Sequence, residues 1–75
     1  MSDKSPRITS KQIVSVLEKL VFAFSRRSGS HKIYYHPDGR RVVVPMHSTV
    51  ILKPKTLHSI QRDANLSNDE LKSLL

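Results

Sequence analysis

Apolar residues at Ile13, Leu17, Leu20 and Phe24 recur at the spacing of one helical face, and Val14 and Val21 widen that stripe. Just ahead of it, Thr9-Ser10-Lys11-Gln12 has the form of a capping box, with Ile8 and Ile13 spaced as a hydrophobic staple. The spacing predicts a helix over about 10–20. From Phe22 the period becomes two: Phe22, Phe24 and Arg26 alternate with Ala23, Ser25 and Arg27, which reads as a strand. Ser28-Gly29-Ser30 is a turn signal, and His31 to His36 is a second strand rich in β-favouring Ile33, Tyr34 and Tyr35. In His36-Pro37-Asp38-Gly39-Arg40, Pro37 presets φ for a turn and Gly39 accepts positive φ, a strong hairpin signal. Arg41 to Val44 is the third strand, ended by Pro45, which has no N–H for a ladder.

Met46–Lys53 reads as a connector with a short apolar patch at Val50–Leu52. Pro54 suits the first turn of a helix whose stripe is Leu57, Ile60 and Ala64. Asn65 suits a left-handed helix end with Leu66 packed behind it. Ser67-Asn68-Asp69-Glu70 is a second capping box, opening a short last helix with Leu71, Leu74 and Leu75 turned inward. The predicted fold is therefore α+β in the order αβββαα, a three-stranded antiparallel meander with its helices on one face. Residues 1–8 have no periodicity and are expected to be a flexible tail, leaving 9–75 as one domain.

Composition narrows the function classes. With 75 residues there is no material for a second core. At this size folding buries only about 60% of the unfolded surface, so a deep substrate pocket is not expected. There is no cysteine, hence no disulfide, and the longest apolar run, Leu20–Phe24, is far too short for a membrane span. Met1–Arg7 is polar and no signal-peptide core follows, so the expected location is cytoplasmic. The net charge of +7 is not spread evenly. Between Arg26 and Arg62 lie eight Lys or Arg residues and one acid, Asp38, whereas the remainder carries five of each sign. A cationic field confined to half of a small domain attracts polyanions, of which phosphate backbones are the commonest, or else an acidic protein.

The four histidines are the natural candidates for chemistry. Metal binding is disfavoured: His31 and His36 fall on opposite sides of a predicted strand, cysteine is absent, and the cationic surround opposes another cation. Ser30 and His31 are strand neighbours that diverge, so a Ser–His couple is not built either. RNA cleavage suits this inventory better, because the substrate brings its own nucleophile, the 2′-hydroxyl. A histidine then serves as base and Lys or Arg side chains stabilise the charge on phosphate oxygens, without a metal or other cofactor. A tight Gly29-Ser30 turn ahead of His31 would bring backbone N–H groups to a phosphate. The same residues also fit a non-catalytic RNA-binding module.

Gly29-Ser30-His31 with Tyr34, the run His36 to Arg40, Val44-Pro45 with His47, Leu52-Lys53-Pro54, Thr56-Leu57 and Ala64-Asn65-Leu66-Ser67 occur in the order found in one family. Together with Leu17-Glu18-Lys19-Leu20 and Phe22 they make the chain resemble the HicA (YcfA-like) mRNA interferase toxins from about Ser10 to Leu74. The resemblance implies a fold like that of double-stranded-RNA-binding domains, cleavage of mRNA with His31 as the catalytic residue, and a HicB-type antitoxin partner in a type II toxin–antitoxin pair. Two positions depart from the pattern. Val21 stands where the family usually has Gly, and Lys55 where Gly commonly follows Lys53-Pro54.

On this reading His31 is the general base, or the acid that protonates the leaving oxygen. Arg26, Arg27, Lys32, Arg40 and Arg41 are expected phosphate contacts, with the Gly29 and Ser30 backbone beside them. His47 and Lys53 are expected contacts from the connector. Tyr34 is expected to stack on a base, while parity sends Tyr35 to the other face. Alternation counted from an inward Ile33 would turn His31 inward as well, so His31 is expected at the rim of the sheet. His36 is expected to be a turn residue.

Overall fold

The computed structural model describes residues 7–46 and 51–75. Their order is α1 (Ser10–Lys19), β1 (Ala23–Ser28), β2 (His31–Tyr35), β3 (Arg41–Pro45), α2 (Pro54–Ala64) and α3 (Asn68–Leu74), the αβββαα arrangement expected. The strands form an antiparallel sheet in the order β1-β2-β3. Among the described residues no helix is long and apolar enough to cross a membrane.

Local chemistry fixes the helix ends. Thr9 Oγ1 accepts the Gln12 N–H at 3.2 Å while Gln12 Oε1 accepts the Thr9 N–H at 2.8 Å, the reciprocal pairing of a capping box. Ser67 and Glu70 repeat it at α3. α2 starts on Pro54 and ends on Asn65, whose φ of 56° lets Leu66 donate back to the Gln61 carbonyl. α1 ends by the same device on a less suitable residue. Phe22 donates to the Leu17 carbonyl and Val21 to the Glu18 carbonyl, with Val21 at φ 72°. Here a β-branched side chain occupies a left-handed position that glycine takes most easily. Val21 is 65% exposed, outside the apolar stripe predicted for it, because the helix has already reversed.

The buried stripe of α1 is Ile13, Val16 and Leu17. With Leu57 and Leu71 it packs on Tyr34, Val42 and Val44, which the β2–β3 register puts on one face of the sheet. α2 lies against β3, the edge strand, and α1 touches both β3 and α3. Ile8 belongs to this core and its carbonyl accepts the Leu52 N–H, so the expected tail of 1–8 overreaches by including it. Residues 1–6 and the apolar position Val50 lie outside the described residues. At the other end Leu71 is buried but Leu75 is half exposed rather than inward.

The alternation predicted for β1 fails at one residue. Phe24 pairs with Tyr34 but Arg26 pairs with Ile33, a bulge that leaves Ser25 unopposed. Phe24 therefore shares the core-side face with Tyr34, their rings meeting edge to face at 5.7 Å, whereas Arg26 shares the opposite face with Ile33. Phe22, ahead of the strand, is buried. Gly29 at φ 59° followed by a residue at negative φ gives the sign order of a type II′ hairpin turn.

Candidate active site

His31 opens β2 directly after that turn, opposite Ser28 on β1 and Pro45 on β3. Alternation places it with Ile33 and Tyr35 on the face away from the helix core. The expectation of an inward Ile33 is thus reversed: Tyr34 is the residue that enters the core, and His31 is exposed. Ile33 is buried separately, between its partners Arg26 and Val43. The same face also carries Arg41, opposite Tyr35. Arg26, His31, Tyr35 and Arg41 all expose side chains there.

At the β3 edge this face meets α2. His31, Val43 and Pro45 border a cleft of ≈ 370 Å³ whose other wall is Lys55, Thr56, Ser59 and Ile60. Lys55 and Thr56 belong to the first turn of α2, which contains no acidic residue. Free backbone N–H groups, the positive end of the helix dipole and Lys55 therefore share this cleft with His31. A phosphate finds hydrogen-bond donors there, and an accessible imidazole with no hydrogen-bond partner among the described residues. Lys55, Thr56 and Ser59 were not among the expected contacts. In the sequence Lys55 stood out as an extra cation at a helix start, for which a phosphate contact would compensate, but no local signal says that this start faces His31.

The remaining expected contacts divide. Gly29 is exposed, and its positive φ serves the turn. The Ser30 carbonyl accepts the Met46 N–H at 2.8 Å, which fastens the turn to the end of β3. Arg27 and Lys32 pair with each other on the opposite side of the sheet from His31, and Lys53 is the exposed N-cap of α2. Tyr34 is only 3% exposed, so it packs and does not present its ring to a base. Burial, and secondarily the charge of Glu18, raises its phenol above the usual tyrosine range. His47 lies outside the described residues.

Arg40 is occupied inside the fold. Its Nε lies 3.1 and 2.9 Å from the two Asp38 oxygens, Nη1 donates to the Ala64 carbonyl, and the guanidinium covers the Phe22 ring. It joins the β2–β3 turn to the end of α2 and has little left for a phosphate. His36 is part of the same turn. Its ring meets Phe22 edge-on at 5.2 Å, and Nδ1 accepts the Asp38 N–H at 3.1 Å. The Asp38 carboxylate is also 3.0 Å from that nitrogen, but a nitrogen that accepts an N–H has no proton to offer. The contact becomes an ion pair only when the ring is doubly protonated. The Arg40 N–H, and then the charge of the Arg40 guanidinium, hold Asp38 below the ordinary carboxylate range.

Among the described residues no three His, Asp or Glu side chains converge as a metal-binding group. By sequence, no curated protein matches the chain. The family model for the HicA toxin of bacterial toxin–antitoxin systems matches residues 10–66, which takes in His31, the turn ahead of it and the α2 wall of the cleft. With well over half its length matched, and the αβββαα fold in place, this chain belongs to the HicA toxin family, whose members are the toxin half of a toxin–antitoxin pair.

Proposed function

We infer that this toxin is an endoribonuclease that cuts mRNA through the ribose 2′-hydroxyl, with His31 moving the proton. The observation that carries this reading is the exposed imidazole sharing one cleft with Lys55 and the first turn of α2. As base, His31 takes the 2′-hydroxyl proton while that oxygen attacks phosphorus and the bond to the 5′ oxygen breaks. The 5′ oxygen takes a proton from solvent water as it leaves, and a 2′,3′-cyclic phosphate remains on the other fragment. Lys55 and the α2 N–H groups offset the charge that builds on the non-bridging oxygens, the largest single contribution such a site makes. Arg26 and Arg41 lie on the same face of the sheet and suit the flanking phosphates.

The antitoxin partner is proposed to be a HicB-type protein that covers this face. With Arg26 and Arg41 on the His31 face and Lys55 in the cleft at its edge, the surface favours an acidic inhibitor.

Purified His31→Ala, compared with wild type on a defined mRNA, tests the catalytic role. Cleavage is expected to fall by at least about two orders of magnitude, the usual contribution of a positioned acid–base group. RNA affinity should stay within a few-fold, and EDTA should leave wild-type cleavage intact. Equal cleavage by the two proteins, or loss of wild-type cleavage in EDTA, overturns the proposal. Tight RNA binding without any cleavage by wild type points instead to a non-catalytic RNA-binding module.

A further inference from the structure

A second cleft, of ≈ 340 Å³, lies around the Pro45 end of the sheet from the first and is bordered by Ser10, Lys11, Val14, Lys32, Pro45 and Met46. Lys32 pairs with Val44, so it points to the core side of the sheet, away from His31. Among the described residues, Pro45 is the one that the two clefts share.

Three features of this second cleft have no use inside the fold. The N-terminus of α1 opens onto it, and the Thr9 cap serves only part of that end. Its hydroxyl takes the Gln12 N–H, its carbonyl the Ile13 N–H, and the Ser10 N–H belongs to the Thr9–Ile51 bridge, which leaves the Lys11 N–H without an intrahelical acceptor. No acidic side chain lies in this first turn to offset the dipole, in contrast to α3 with Asp69 and Glu70. Ser10 lines the cleft at 3% exposure, and its hydroxyl has no hydrogen-bond partner among the described residues. Buried hydroxyls are almost always paired, so an orphan beside an opening indicates an acceptor that arrives with a ligand. Lys11 and Lys32 line the same cleft, and among the described residues neither has an ion-pair partner.

We propose that Ser10, Lys11 and Lys32 form a phosphate-binding site separate from the His31 cleft. The Ser10 hydroxyl and the Lys11 N–H donate to the phosphate oxygens, and the two ammonium groups balance its charge. The phosphate has two sources: the backbone of an RNA strand that turns past Pro45 from the His31 cleft, or a free phosphate or phosphomonoester. The site itself does not depend on the ribonuclease reading. Only its use by a strand does.

Amide NMR on the full chain tests it, with inorganic phosphate as one probe and a short 2′-O-methyl oligonucleotide, which lacks the attacking hydroxyl, as the other. Phosphate is expected to shift the Ser10 and Lys11 amides saturably. In the Lys11→Gln/Lys32→Gln double variant the affinity should drop about tenfold, as loss of charge-assisted donors predicts. Ser10→Ala should weaken binding while keeping or raising thermal stability, because it removes an unpaired hydroxyl; weaker binding then does not reflect misfolding. Oligonucleotide shifts at Ser10 and Lys11 together with His31 identify the strand as the source. Shifts at Ser10 and Lys11 with phosphate alone identify a small phosphate compound. Absence of saturable shifts there with both probes, or equal affinity in the double variant, overturns the proposal. Failure of His31-dependent cleavage leaves it standing.

Discussion

The guanidinium carbon of Arg40 lies 5.2 Å from the centroid of the Phe22 ring while the same side chain holds Asp38 and the Ala64 carbonyl. A cation committed to a ring, a carboxylate and a helix end is a structural joint. The local order of charges in His36-Pro37-Asp38-Gly39-Arg40 does not reveal this, because two of its three partners come from distant parts of the chain.

Arg40→Lys keeps the charge and removes the planar fork and the stacked contact. It is expected to cost about 1–2 kcal/mol, the combined scale of a cation–π contact and a charge-assisted hydrogen bond. Urea unfolding reads that loss. RNA affinity and its salt dependence should stay unchanged below the melting range. Arg41→Gln should show the reverse, with stability held and the salt dependence shallower. A normal melting curve for Arg40→Lys combined with weaker RNA binding would return Arg40 to the phosphate contacts.

Val21 allows a test that bears on stability alone. Left-handed backbone costs a side-chain-bearing residue about 1–2 kcal/mol, and Gly returns part of that through the entropy it loses on folding. Because Val21 is exposed, little packing is lost with its side chain. Val21→Gly should therefore gain about 0.5–1 kcal/mol and raise Tm by a few degrees, since 1 kcal/mol moves a domain of this size by about 4–8 °C. Val21→Ala should gain less, as Ala also strains at positive φ. Destabilisation by the glycine would mean that Val21 makes contacts that its exposure hides.

What was legible in the sequence follows a physical division. Thr9 with Gln12, Ser67 with Glu70, Asn65 at its helix end and Gly29 in its turn all act within a few residues, so their types and spacing identify the elements directly. Faces were harder. The bulge at Ser25 has no composition of its own, yet it moves Arg26 to the side of the sheet opposite Phe24. In β2 the apolar run Ile33-Tyr34-Tyr35 offers no polar residue to set the parity, and both Ile33 and Tyr34 are buried, on opposite faces. The cleft itself joins positions from β2, β3 and α2. His31 was singled out as a candidate by the family resemblance together with its chemistry, and Lys55 was missed as its neighbour because only tertiary packing brings α2 to β3.

Lys55→Gln tests that neighbourhood. Cleavage, measured as kcat/KM, should drop about tenfold or more, in line with losing one group that stabilises charge at phosphate. The slope of log affinity against log salt should become shallower by about 0.7 for a single-stranded substrate, the share of one phosphate contact. Stability should hold or rise slightly, because a cation at a helix N-terminus is mildly unfavourable. Those opposite signs separate a functional loss from a folding defect. Unchanged cleavage and salt slope would mean that Lys55 merely borders the cleft.

The two adjacent tyrosines make a paired test of which face meets RNA. Tyr35 is 41% exposed beside Arg41 on the His31 face, whereas Tyr34 is in the core. Tyr35→Ala should weaken RNA binding by about 1–3 kcal/mol if its ring stacks on a base, and Tyr34→Phe should leave affinity unchanged. The phenol of Tyr34 adds a pH signature. Its folded value is raised, first by burial and then by Glu18, so the folded state favours the neutral form. That stabilisation is complete below the unfolded value of about 10 and is lost as pH rises through the higher folded value. Wild type should therefore lose stability relative to Tyr34→Phe only above about pH 10, and the two curves should run parallel at neutral pH. Weaker RNA binding by Tyr34→Phe at pH 7, with stability intact, would put the RNA surface on the wrong side of the sheet and remove the link between His31 and Arg41 that the proposed function uses.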